Sequence, residues 1–151
     1  MRYLLPLLGL CLGSVVSIVQ PAVGLPFLST SATAISTSLD LDGEGSASTH
    51  IVKVADILFS TDHSGGLTLW LTSGNLTKVN GSDISFQVTT VANDAIAPSS
   101  SDFTVPSGQV YTYVTLAAGS ESRDVYILYT PSALQDPGAY SATIDISVVD
   151  N

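Results

Sequence analysis

Cysteine is almost absent from this chain: Cys11 is the sole one in 151 residues. It lies inside a segment, 1–24, that reads as a secretory leader. Arg2 gives the positive start, residues 4–19 give the apolar run, and Ala22 and Gly24 give the small side chains of a cleavage site. This reading puts the mature N-terminus at Leu25 and the protein in a periplasm, at a cell surface or in the medium. It leaves no cysteine there to form a disulfide. A retained anchor fits less well, because Gln20, Pro21 and Pro26 interrupt a run already short for a membrane span. Lipidation of Cys11 would need a small residue where Leu10 stands.

Basic residues are the second scarcity. The chain has four Lys and Arg against 13 Asp and Glu. All the acids follow the leader, and only Lys53, Lys78 and Arg123 accompany them. Three scattered cations cannot neutralise a phosphate backbone, so nucleic acid is excluded as a partner. An anionic membrane surface is disfavoured on the same ground once the leader is gone. Chemistry is scarce too. His50 and His63 stand in separate segments with no cysteine to complete a zinc site. The many serines have no Gly-x-Ser-x-Gly elbow and no evident base. These absences point to a non-enzymatic protein with no cofactor.

Helical periodicity is missing as well, and the chain runs at period two. Alternating apolar residues mark strands at 35–41, 50–59, 67–72, 84–88, 110–116, 125–129 and 140–148. Turn chemistry separates them, as at Ser64-Gly65-Gly66, Asn80-Gly81, Pro106-Ser107-Gly108 and Asp136-Pro137-Gly138. About seven short strands predict an all-β fold, an immunoglobulin-like two-sheet antiparallel sandwich. The domain is expected over 34–151, preceded by a flexible arm at 25–33. In 50–59 one face is expected to carry Ile51, Ala55, Ile57 and Phe59, and the other Val52, Val54 and Leu58. Ile144 and Ile146 are expected to point inward from the last strand.

Several local features carry possible roles. Asp136, Gly138 and Tyr140 have the Asp-x-Gly-x-Tyr spacing of a tyrosine corner, in which the hydroxyl bonds back to nearby backbone. An ordinary turn before a strand has the same spacing. Asp40, Asp42 and Glu44 alternate carboxylates that calcium could use, although they do not fit an EF-hand, and a solvated acidic turn reads equally from the pattern. Asn75 and Asn80 match the N-glycosylation pattern. Trp70, Tyr111, Tyr113 and Tyr126 are either an aromatic ligand platform or residues packed on sheet faces.

The run 138–148, Gly-Ala-Tyr-Ser-Ala-Thr-Ile-Asp-Ile-Ser-Val, and the strand-like 123–131 before it resemble the pilin-type subunits of chaperone–usher fibres and the related spore coat protein U domains. The likeness covers roughly residues 109–151 and departs from the family in lacking its disulfide pair. With the sequence ending soon after the corner strand, the resemblance implies a sandwich short of its final strand. It further implies a groove filled by a strand from another subunit. Ile35, Leu39 and Leu41 are the candidate assembly residues, on a segment that either serves a neighbour or pairs within its own domain. Two functions are expected: a structural subunit of a fimbria-like fibre or coat, self-associating or joining related surface subunits, or a monomeric extracellular binding or adhesion module that uses the 93–101 loop and the exposed aromatics.

Overall fold

The computed structural model describes residues 24–41, 47–136 and 138–151. Residues 1–23 with Cys11, the candidate calcium ligands Asp42 and Glu44, and Pro137 lie outside the described residues. Eight strands are described: β1 (Phe27–Ala32), β2 (His50–Thr61), β3 (Leu67–Thr72), β4 (Asn75–Leu76), β5 (Ile84–Ala92), β6 (Val110–Val114), β7 (Gly119–Tyr129) and β8 (Ile146–Asp150). They form two antiparallel sheets, ordered β1-β2-β7-β5-β4 and β6-β3-β8. Among the described residues, helix is confined to two 3₁₀ turns, and no helix is long and apolar enough to cross a membrane.

The core follows from period two. Leu67, Leu69 and Leu71 turn the same face of β3 toward the larger sheet and are at most 1% exposed. They meet Ile57 and Phe59 of β2, Phe86 and Val88 of β5, and Val125 and Ile127 of β7 in one cluster. Burying each such side chain contributes about 1.5–3 kcal/mol, and the sheets are held together chiefly by this layer. Trp70, of opposite parity, is 41% exposed on the outer face of the smaller sheet.

Five expectations need correction. The 25–33 segment is not a free arm. Phe27–Ala32 pairs with β2 in continuous register, from Phe27 opposite Ser60 to Ala32 opposite Ala55. Of its side chains only Leu28 is half-buried and packed on the core, so backbone bonding, which composition does not reveal, creates the strand. The alternation at 35–41 does not form a strand either: Ala34–Thr37 is a 3₁₀ turn, and the following residues pair in neither sheet. In β2 the register shifts between Lys53 and Ala55, which is a β-bulge at Val54. The bulge changes the inward parity, so Val52 and Val54 join Ala55, Ile57 and Phe59 on the core side. The alternation at 140–148 is strand only from Ile146 onward, with Ser141 joined to Thr77 by an isolated bridge. Finally, the 93–109 connection is held down. It crosses the outer face of the larger sheet, where Gln87 Nε2 donates to the carbonyls of Phe103 (3.1 Å) and Val105 (2.7 Å), and Phe103 is buried.

In β8, Ile146 and Val148 face the core and Ser147 and Val149 face out, as period two requires. Ile146 is only half-buried. Ile146→Ala is therefore expected to cost about 2 kcal/mol, the low end for such a truncation. Ser147→Ala should stay within about 0.5 kcal/mol. Urea denaturation of the two variants checks this, and equal losses would contradict the inward assignment.

Candidate functional site

The two sheets do not close on each other equally at both edges. At the β6 edge a polar clamp ties them together. The Arg123 guanidinium stacks on the Tyr113 ring, 3.7 Å from its centroid, and pairs with Glu121 at 2.7 Å. Its other nitrogens donate to the Thr90 hydroxyl (2.8 Å) and the Thr90 carbonyl (3.0 Å). Tyr113 donates to Glu121, and the Tyr111 and Thr90 hydroxyls share a bond of 2.9 Å. Burial and then the Glu121 bond push the Tyr113 phenol above its ordinary range. Glu121 and Arg123 stand two apart in one strand, which puts both on one face. That spacing is the signal in the sequence that could have revealed the clamp.

At the β8 edge the sheets stay apart, leaving a groove of about 750 Å³. Its floor is core: Val54, Leu76, Phe86, Val125 and Ile127, every one of them buried. One wall is the segment 36–41, with Leu39 and Leu41 turned to the core. The other is 138–146, with Ile144 and Ile146. Among the described residues of the lining there is no Asp, Glu, Lys, Arg or His.

The wall at β8 has one free side. Thr72 N donates to the Asp145 carbonyl and Asn151 N to the Gly66 carbonyl, so the odd-numbered residues bond to β3. In an antiparallel ladder the alternate residues direct their N–H and C=O to the opposite side. Ile146 and Val148 therefore point their backbone donors and acceptors away from β3, to the side where no described strand pairs with β8. Farther along, Ser141 exchanges bonds with Thr77.

Tyr140 closes one end of the groove. Its hydroxyl donates to the Asp136 carbonyl at 3.0 Å, the bond of a tyrosine corner, and accepts from Gln135 Nε2 at 2.7 Å. Gly138 permits the bend with φ of 133°. A Cβ there would stand 2.9 Å from Lys78 Cε. The Asp136 carboxylate accepts from Ser82 N at 2.7 Å, which holds it below the usual carboxylate range.

The other candidate residues divide sharply. Ile35 is 47% exposed on the 3₁₀ turn, whereas Leu39 and Leu41 lie on their own core. The Asp40 carbonyl accepts from the Tyr129 hydroxyl at 3.0 Å, and burial pushes that phenol up to about 12. Of the three calcium candidates only Asp40 is described, and no group of three metal-ligating side chains occurs among the described residues. His50 stacks on Tyr129, ring centroids 5.3 Å apart, while His63 sits in the turn before β3. The aromatic platform does not assemble: Tyr111 and Tyr113 are tied inward by Thr90 and Glu121, and Trp70 and Tyr126 belong to different sheets. A further ionic group went unforeseen. Lys53 Nζ lies 2.6 Å from Asp56 and 3.0 Å from the buried Asp124, and these bonds raise the Lys53 pKa and lower that of Asp56.

No family model, no curated protein and no solved structure matches this chain. Its function is therefore argued from the groove.

Proposed function

We propose that this chain is a non-enzymatic, exported structural subunit, an immunoglobulin-like sandwich lacking one strand that is completed by an extended segment of a neighbouring subunit. The observation that carries the reading is the open groove: a floor of buried core residues beside an unpaired strand edge. Such a groove leaves apolar surface and backbone donors unsatisfied, and one added strand answers both. The chemistry it selects is an uncharged extended segment with alternate apolar side chains, since the described residues of its lining carry no carboxylate or ammonium group.

The strand order supports the same reading. Among the described strands β1 and β8 are sheet edges, and a strand added beside β8 would take the place that the resemblance to pilin-type subunits implies. Residues 33–41 supply strand-like alternation that neither sheet uses, which makes this segment of a second copy the natural donor. Export to a periplasm or cell surface belongs to the proposal and rests on the leader.

Removal and return of the donor test the reading. In purified 25–151, size exclusion with light scattering should show assemblies that grow with concentration. Deleting 34–41, which leaves β1 paired with β2, should abolish them and lower the melting temperature, and a peptide of residues 33–42 should restore part of the loss. A full-length protein that stays monomeric at millimolar concentration and ignores the peptide would contradict the proposal.

A further inference from the structure

The outer face of the smaller sheet is turned away from the groove. Trp70 stands at its centre, directly opposite Thr112 of β6 on one side and Ser147 of β8 on the other. Residues so opposed hold their Cβ atoms about 5 Å apart, and diagonal neighbours lie about 7–8 Å away. Asp145, two residues before Ser147, takes a diagonal place, because Thr72 N donates to its carbonyl and continues the ladder. The face is more apolar at its edges than a solvated sheet needs: Val110, Val114 and Val149 alternate onto it and are exposed, as Trp70 is.

The polar groups around the indole are of two kinds. Those along β3 are committed. The Thr68 hydroxyl donates to the Asn151 side chain, and the Thr72 hydroxyl accepts from Asp145 N at 3.2 Å. Those across the strand are open. Among the described residues nothing bonds to the Thr112 or Ser147 hydroxyl, the Asp145 carboxylate or Trp70 Nε1. An exposed apolar plate is thus bordered on both sides by free hydroxyls and at one corner by a free carboxylate. The face is also small. Three strands of five residues cover roughly 240 Å², well short of the roughly 800 Å² that each partner buries in a stable protein interface.

We infer that this face binds a neutral polysaccharide of the flat kind built from β-1,4-linked pyranose rings. Equatorial hydroxyls give each such ring two apolar C–H faces and a polar rim. One C–H face lies on the Trp70 indole, whose π-surface attracts it. The rim then reaches the Thr112 and Ser147 hydroxyls on either side of β3. The Asp145 carboxylate accepts from a ring hydroxyl, a charge-assisted bond stronger than a neutral one. Chains of acidic sugars are repelled by Asp145 and by the excess of 13 acids over four bases in the whole chain. Because the face points away from the groove, it stays open whether or not a strand fills that groove.

Trp70 is the sole tryptophan of the chain, so tryptophan fluorescence reads this face alone. The probes are cellohexaose, N-acetylchitohexaose and, as the anionic control, a galacturonic acid hexamer. At millimolar concentration at least one neutral probe is expected to shift the emission to the blue and to protect Trp70 from acrylamide quenching, and the anionic hexamer to do neither. The double variant Thr112→Val, Ser147→Ala should bind at least about tenfold more weakly, through the loss of two hydrogen bonds. Trp70→Ala should lose the binding heat in calorimetry. All three side chains lie outside the core, so the variants should keep the parent's melting temperature.

No spectral change with either neutral probe would overturn the inference, and so would binding that the double variant leaves undiminished. Equal binding of the galacturonic acid hexamer would overturn the neutral specificity. Emission that shifts with protein concentration alone, and not with sugar, would assign the face to a second copy instead. None of these results bears on uptake of the 33–42 peptide, which reads the groove.

Discussion

Gly66→Ala is expected to destabilise the domain by about 3 kcal/mol or more, a large share of the roughly 5–15 kcal/mol that keeps a domain folded. The cause is local and steric. Gly66 has φ of 78°, where an L side chain is strained, and a Cβ would lie 2.3 Å from the Thr115 carbonyl oxygen and 2.8 Å from Ala117 N. Both are backbone atoms, so no side chain can rotate away. Nor can the backbone retreat easily. Leu67 N donates to the Thr115 hydroxyl, Thr115 N donates to the Leu67 carbonyl, and the Asn151 amide donates to the carbonyls of Gly65 and Thr115. The matched control is Gly74→Ala, where a Cβ meets nothing within 4 Å and the change should be nearly neutral. Thermal and urea unfolding followed by circular dichroism distinguish the two. Equal midpoints would mean that the contact at Thr115 is looser than described.

Phe86→Ala should cost about 3–5 kcal/mol. Phe86 is 2% exposed, belongs to the central cluster and forms part of the groove floor. Truncation removes contacts to both sheets and deepens a space that is already open. The 33–42 peptide should then recover less stability than it does in the parent, because an entering strand finds no floor there. Denaturation midpoints with and without the peptide measure both effects. A loss under about 1 kcal/mol would show that the ring is not a core element.

The parts of the fold legible in the sequence are those fixed by side-chain parity. Leu67, Leu69 and Leu71, the Ile84-Phe86-Val88 series and Val125, Ile127 and Tyr129 all face where alternation puts them. The spacing of Asp136, Gly138 and Tyr140 likewise foretold a local bond, because every partner is within four residues. What was hidden depends on partners distant in sequence. β1 owes its existence to the edge of β2, and its own polar composition gives no sign of it. The bulge at Val54 inverts parity midway along a run that is apolar at nearly every position. The 35–41 alternation predicted a strand, but the neighbouring edge of β2 is occupied by β1 and the free edge of β8 lies across the groove. The two walls of the groove come from segments about a hundred residues apart, and no local pattern encodes it.

The clamp at Arg123 and the ion pairs of Lys53 also bear on how copies of this protein would meet in the proposed assembly. Both cations answer acids of their own domain, leaving an exterior dominated by carboxylates. Two such bodies repel through almost any pair of faces. The groove is the exception among the described residues, because none of those that line it carries charge at neutral pH. Dissolved salt, which screens over about 8 Å at physiological strength, weakens the repulsion while leaving apolar contact intact. A union made through that seam tightens as ionic strength rises, the reverse of one built on opposite charges, and filaments so joined carry a like-charged coat that holds them apart side by side.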